Sequence, residues 1–147
     1  MTRGPSPHLS WSELACKDAA HTPYPSEWRE TRAPVLAAEF EAIRAAVGAP
    51  VRIGSAYRTP AHNRSVGGAK ASQHMQGRAL DLYPPTGMTV ARLYELCRLR
   101  AALSESAIGG IGRYPTFVHI DTRPLANQRL TVWNGSRAWA EEKCDPV

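Results

Sequence analysis

Ser72-Gln73-His74-Met75-Gln76-Gly77-Arg78-Ala79-Leu80-Asp81-Leu82-Tyr83 and, further along, Thr116-Phe117-Val118-His119-Ile120-Asp121 decide how this chain is read. From Ala79 to Tyr83 the residues alternate, with Leu80 and Leu82 on one side and Asp81 on the other, the pattern of a half-buried strand that Pro84-Pro85 ends. In the second stretch Phe117, His119 and Asp121 share one face while Val118 and Ile120 take the opposite one. Both stretches therefore turn aliphatic residues to a core and ionisable residues away from it.

Working outward, a helical pattern begins at Ser26, and Leu36, Phe40, Ile43 and Val47 recur at helical spacing on one apolar face. Pro34 marks a first turn or a kink, so this segment reads as one helix or two, and Gly48 with Pro50 ends it. Thr89 can cap a second helix bearing Val90, Leu93, Tyr94 and Cys97 on one side. Short strands are expected at residues 51–53 and 130–133, with a glycine-rich strand or turn at 109–112. The segment 57–76 is too polar for core. Residues 1–25 read as an irregular arm packed on the domain, with one helical turn near Ser12, itself the candidate cap; residues 26–147 form the domain proper. Helix, strands, helix, strands with short links imply an α+β fold, a small antiparallel sheet flanked by helices in a single domain.

Composition agrees. The chain of 147 residues is 43% hydrophobic and 21% charged, ordinary values for a globular domain and incompatible with bulk disorder. No run of about 18 apolar residues is present, so no membrane span is expected. The first residues lack the apolar stretch of a secretory signal, which predicts synthesis and retention in the cytoplasm until something releases the protein. A net charge of +5 favours a polyanionic partner, but the basic residues are scattered and no nucleic-acid-binding signature occurs. Three cysteines, Cys16, Cys97 and Cys144, with no C-x-x-C pair, indicate neither a disulfide framework nor a thiolate metal site.

The chemistry sits on the polar face of the two strands. His74, Asp81 and His119 offer two imidazoles and a carboxylate, a donor set suited to one zinc ion with a position left open for water. Hydrolysis at such a site also needs a proton acceptor, and Asp121, two residues past His119 on the same face, is the geometric nominee. A lone histidine on a strand is usually a hydrogen-bonded structural residue, so spacing alone leaves both readings open.

Further motifs surround these residues: Ser55-Ala56-Tyr57-Arg58-Thr59-Pro60, Asn63, Val66-Gly67-Gly68, Gly110-Ile111-Gly112-Arg113-Tyr114 and the opening Leu9-Ser10-Trp11-Ser12-Glu13-Leu14. With S-x-H-x-x-G-x-A-x-D and V-H-I-D, they closely resemble the M15 zinc peptidases, the D-alanyl-D-alanine carboxypeptidases and peptidoglycan endopeptidases, in their small phage-lysin-like branch. The resemblance runs from about Leu9 to Thr122 and implies a hedgehog or D-Ala-D-Ala carboxypeptidase-like fold. It further implies one zinc ion held by His74, Asp81 and His119, and Arg58 gripping a substrate carboxylate through its planar fork. Ser72 would orient the site or fold its own loop. Tyr57 and His62 would line the substrate groove, and Trp133 would help wall it, although core packing is the commoner use of both aromatics. Several branches place a glutamate three residues before the second zinc histidine; Thr116 stands there instead. Asp121 then serves as base, the base lies elsewhere, or the chain is inactive; the first reading is preferred. The expected activity is zinc-dependent cleavage of peptidoglycan stem peptides or cross-links by a monomer acting on the cell wall after release, or outside the cytoplasm. The alternative is a non-catalytic zinc-containing binding or structural domain of the same fold. A basic nucleic-acid binder is a weaker rival that no motif supports.

Overall fold

The computed structural model describes residues 3–135. The role of Cys144 and the expected C-terminal limit of the domain lie outside them. Five strands, β1 (Arg52–Ser55), β2 (Ala79–Tyr83), β3 (Gly110–Arg113), β4 (Val118–Asp121) and β5 (Thr131–Asn134), form one sheet in the order β1-β2-β4-β3-β5. The alternation of faces in β2 and β4 is realised, Leu80, Leu82, Val118 and Ile120 joining Ile111 in the core. The strands are not half-buried as expected, however: Asp81, His119 and Asp121 on the other face are buried as well. The expected antiparallel sheet holds for β1 through β4, but β5 pairs parallel with β3, making the sheet mixed. The reason is topological. Both edges of β4 are taken by β2 and β3, so the returning chain settles on the free edge of β3, which already runs opposite to β4.

Four helices complete the α+β domain: α1 (Trp11–Leu14), α2 (Ala33–Val47), α3 (Pro60–Ser65) and α4 (Val90–Ala101). In α2, Leu36, Ala37, Phe40 and Ile43 are buried, Pro34 occupies the first turn, and Gly48 closes the helix at φ 77. The pattern starting at Ser26 resolves into a separate 3₁₀ turn, Ser26–Trp28, followed by α2. Helix α4 is capped as expected, Thr89 accepting from the Arg92 N–H at 3.0 Å. It packs on α2 and on the inner face of β3 and β4. One acid lies between the helices: Glu39 of α2, 2% exposed, accepts from Arg100 Nε at 2.9 Å, Ser106 Oγ at 2.8 Å and the Ala107 N–H at 2.9 Å.

Two local readings change. The cap of α1 is Ser10 rather than Ser12, because Glu13 falls three residues after Ser10 and closes a reciprocal capping box with it. The polar segment 57–76 contains α3, whose signal was present in Thr59-Pro60: a threonine cap followed by proline at the first helical position. Among the described residues no helix is long and apolar enough to cross a membrane.

Candidate metal centre

Strand register builds the centre. Asp81 of β2 lies directly opposite His119 of β4, so two cross-strand neighbours on the polar face carry a carboxylate and an imidazole. The second imidazole, His74, comes from the 3₁₀ turn Gln73–Gln76 that leads into β2. Ser72 Oγ accepts from the His74 N–H at 3.1 Å, so Ser72 folds the turn that carries the histidine. Gly77 closes that turn at φ 67, a left-handed conformation that L side chains rarely adopt. Its carbonyl accepts from Tyr24 Oη at 2.7 Å, and a Cβ there would sit 2.7 Å from Trp28 and 2.9 Å from Tyr24 Oη.

His74, Asp81 and His119 are all buried, and one ligand atom from each lies within 4.8 Å of the others. His74 Nδ1 is 2.6 Å from the carbonyl oxygen of Ala56, which can only accept, so this nitrogen carries the hydrogen. His119 Nε2 is 2.6 Å from Asp121 Oδ2 and donates to it. The remaining nitrogens, His74 Nε2 and His119 Nδ1, then point unprotonated lone pairs at Asp81 Oδ1 from 3.2 and 3.1 Å. Three potential ligand atoms thus converge on one point, where a cation could be held. Asp81 Oδ2, also buried, has no hydrogen-bond partner. Burial raises the Asp81 carboxyl, whereas charge and hydrogen bonds from the two imidazoles in their protonated form outweigh it and bring the group down to about 2; a cation at the same point would hold it ionised in the same way. This donor set fits a divalent metal.

Asp121 occupies a different setting. Besides His119 it accepts three hydrogen bonds from Arg123, from the backbone N–H at 3.1 Å, Nε at 2.8 Å and Nη2 at 2.6 Å. Its pKa lies well below the carboxylate range, because burial, which raises it, is outweighed by the bonds from His119 and Arg123. Arg58 is 1% exposed and braced by Ser55 Oγ (Nε, 3.2 Å) and Asn63 Oδ1 (Nη1, 3.1 Å). Its Nη2 lacks a hydrogen-bond partner and stands 3.7 Å from Asp81 Oδ2. Tyr57 packs edge-on against Tyr24 and Trp28, and His62 sits in α3, its N–H donating to the Thr59 cap at 3.0 Å. Trp133 covers the centre from β5, its ring 5.1 Å from that of His119. Sequence reasoning missed Arg123, although it stands two residues beyond Asp121, the spacing that repeats a strand face.

A sequence model of the peptidase M15 family matches residues 7–121, most of the chain and every residue of the His–Asp–His cluster. This chain belongs to the peptidase M15 family. Two relatives, the peptidoglycan L,D-endopeptidases MepK of Escherichia coli and of Shigella flexneri, are each 42% identical over 82 residues. The aligned part covers 51% of this chain and 41% of each relative, so the chain spans less than half the length of the curated relatives it matches. M15 proteins are metallopeptidases, and this M15 chain carries a buried donor set that could hold the metal such chemistry uses.

Proposed function

We propose that this chain is a zinc-dependent peptidase that cleaves peptide bonds in peptidoglycan. The observation that carries the reading is the convergence of His74 Nε2, His119 Nδ1 and the Asp81 carboxylate, with the outer nitrogen of each imidazole already donating elsewhere. Two histidines and one carboxylate are the ligand set of hydrolytic zinc sites, which keep a coordination position for the reaction. Zinc bound there would supply the Lewis acidity that makes water nucleophilic near neutral pH and polarises a scissile carbonyl.

The protein's own groups do the rest. The Ala56 carbonyl and Asp121 fix the two imidazole rings and their tautomers, the supporting role that outer groups play around metal ligands. Arg58 is locked by Ser55 and Asn63, leaving Nη2 to donate to a substrate oxygen, carboxylate or carbonyl, beside Asp81. Asp121, expected from the sequence to be the general base, is read instead as a positioning group for His119, because its oxygens already accept from His119 and Arg123. A charge of +5 favours approach to wall peptides rich in carboxylates and so supports action at the cell wall.

The test is digestion of purified sacculi by the protein, with and without a chelator, and mass analysis of the released fragments. Cleavage that stops with chelator, returns with added zinc and is absent in His74→Ala is the expected result. The activity named for the relatives makes an L,D peptide bond the first to look for among the fragments. Stoichiometric zinc without any released fragment would instead identify a binding domain.

A further inference from the structure

Arg123 lies just past the stretch matched by the family model, is 9% exposed, and makes the densest set of hydrogen bonds around the centre. A carboxylate offers about four acceptor sites on its two oxygens. In Asp121 all four are filled: Oδ1 takes the backbone N–H and Nε of Arg123, and Oδ2 takes Nη2 of Arg123 and Nε2 of His119. Three of the four donors come from one residue. The guanidinium is held in turn by Trp133, with its central carbon 4.9 Å from the ring centroid, and Trp133 Nε1 donates to Tyr114 Oη at 3.0 Å.

Two glycines make room for this arrangement. A Cβ on Gly110 would stand 2.6 Å from Arg123 Nε and from both Asp121 oxygens, and one on Gly109 would overlap the Arg123 carbonyl at 1.7 Å. The Gly109-Gly110 pair at the start of β3 is therefore the gap through which the arginine closes on the aspartate.

We propose that Arg123 is a positioning residue for the metal centre, a bidentate clamp on Asp121 that aims the carboxylate at His119 Nε2 and so keeps the hydrogen off His119 Nδ1, the nitrogen turned toward Asp81 and the ion. The proposal rests on the zinc reading above. A carboxylate without the clamp rotates about its terminal torsion and no longer selects one imidazole tautomer; with Nδ1 carrying the hydrogen, His119 cannot be a ligand. Removal of outer groups of this kind lowers metal affinity about 10–100-fold. Lysine keeps the charge but supplies no planar fork.

The experiment uses the full chain with zinc as the probe, titrated in competition with a chelating indicator, for wild type, Arg123→Ala and Arg123→Lys. Long-range proton–nitrogen spectra of the imidazoles report the His119 tautomer with and without zinc. Arg123→Ala is expected to lose affinity about 10–100-fold, Arg123→Lys to fall between it and wild type, and the Nε2–H signature of His119 to be lost in the alanine variant. Wild-type affinity and an unchanged His119 tautomer in a folded Arg123→Ala overturn the proposal. Should the alanine variant not fold, Arg123→Lys decides in the same way: reduced affinity supports the clamp, and wild-type affinity refutes it. If the wild-type chain itself binds no zinc, the functional reading fails separately. The metal-free spectra then judge the clamp, with loss of the Nε2–H signature in the variants supporting it and its retention refuting it.

Discussion

Replacing Gly77 by alanine tests how the centre is braced from behind. Gly77 has φ 67, so an L side chain there pays the left-handed penalty of about 1–2 kcal/mol. A smaller unfolded-state ensemble returns about 0.4–1 kcal/mol. The new Cβ also meets Trp28 at 2.7 Å and the hydroxyl of Tyr24 at 2.9 Å, and Tyr24 is 2% exposed and hydrogen-bonded to the Gly77 carbonyl. Neither ring can swing away freely, so overpacking adds about 1–3 kcal/mol. Gly67 provides the control: its φ is 73, yet a Cβ there meets nothing within 4 Å, so Gly67→Ala carries the backbone penalty alone. The two variants should therefore differ by about 1–3 kcal/mol. At about 2–4 °C per kcal/mol for a chain of this size, Gly77→Ala should melt roughly 2–12 °C below Gly67→Ala. Thermal unfolding followed by circular dichroism, both variants side by side in chelator, reads the difference. Equal melting temperatures would show that the aromatic wall yields, and that the His74 turn is not wedged in place.

Three other perturbations probe separate parts of the structure. Glu39→Gln should cost about 3 kcal/mol in denaturant unfolding at neutral pH, since it leaves the Arg100 charge facing a neutral group in a largely buried site. Burial raises the Glu39 carboxyl, but bonds from Arg100, Ala107 and Ser106 outweigh it and depress the pKa, so the stabilisation is complete above the unfolded value near 4.3 and drains away as pH falls through the lower folded value. The gap between wild type and Glu39→Gln should accordingly narrow in acid, and a gap that widens would refute the assignment. Zinc at about 100 times its dissociation constant should stabilise the wild type by about 2.7 kcal/mol, and a calorimetric shift that survives in His119→Ala would place the ion elsewhere. Arg58→Lys cannot reproduce the paired bonds to Ser55 and Asn63 and should cost about 1–3 kcal/mol. In the peptidase assay the same variant should raise KM, and an unchanged KM would remove Arg58 from substrate contact.

The parts legible in the sequence are those with a local period. Alternation gave β2 to the residue, and the i, i+3, i+4 spacing of Leu36, Phe40 and Ile43 located α2. The convergence of His74, Asp81 and His119 came through the family motif, since residues so far apart meet only through strand register, which no local pattern encodes. The parallel pairing of β5 was hidden for the same reason: it follows from which strand edge remains free. Helix α3 was legible in Thr59-Pro60 but masked by the polarity around it. At Gly109-Gly110 a close approach was legible from the glycines, but not what approaches, because Arg123 lies across the sheet.

Asp81 and Asp121 show why residue type and face do not assign a role. Both are buried carboxylates on the polar side of adjacent strands, and each touches His119, at 3.1 Å for Asp81 and 2.6 Å for Asp121. Their neighbours separate them. Asp81 faces two imidazole nitrogens and, at 3.7 Å, one nitrogen of Arg58, so Oδ2 has an ion pair but no hydrogen bond while Oδ1 meets only the imidazoles. That is an under-filled anion, the electrostatic demand a cation answers. Asp121 has an arginine two residues on, and its acceptor sites are occupied by His119 and Arg123. The same face thus holds one carboxylate in a cluster that could hold an ion and another closed by a guanidinium, and the difference traces to Arg123 and the glycine gap that admits it.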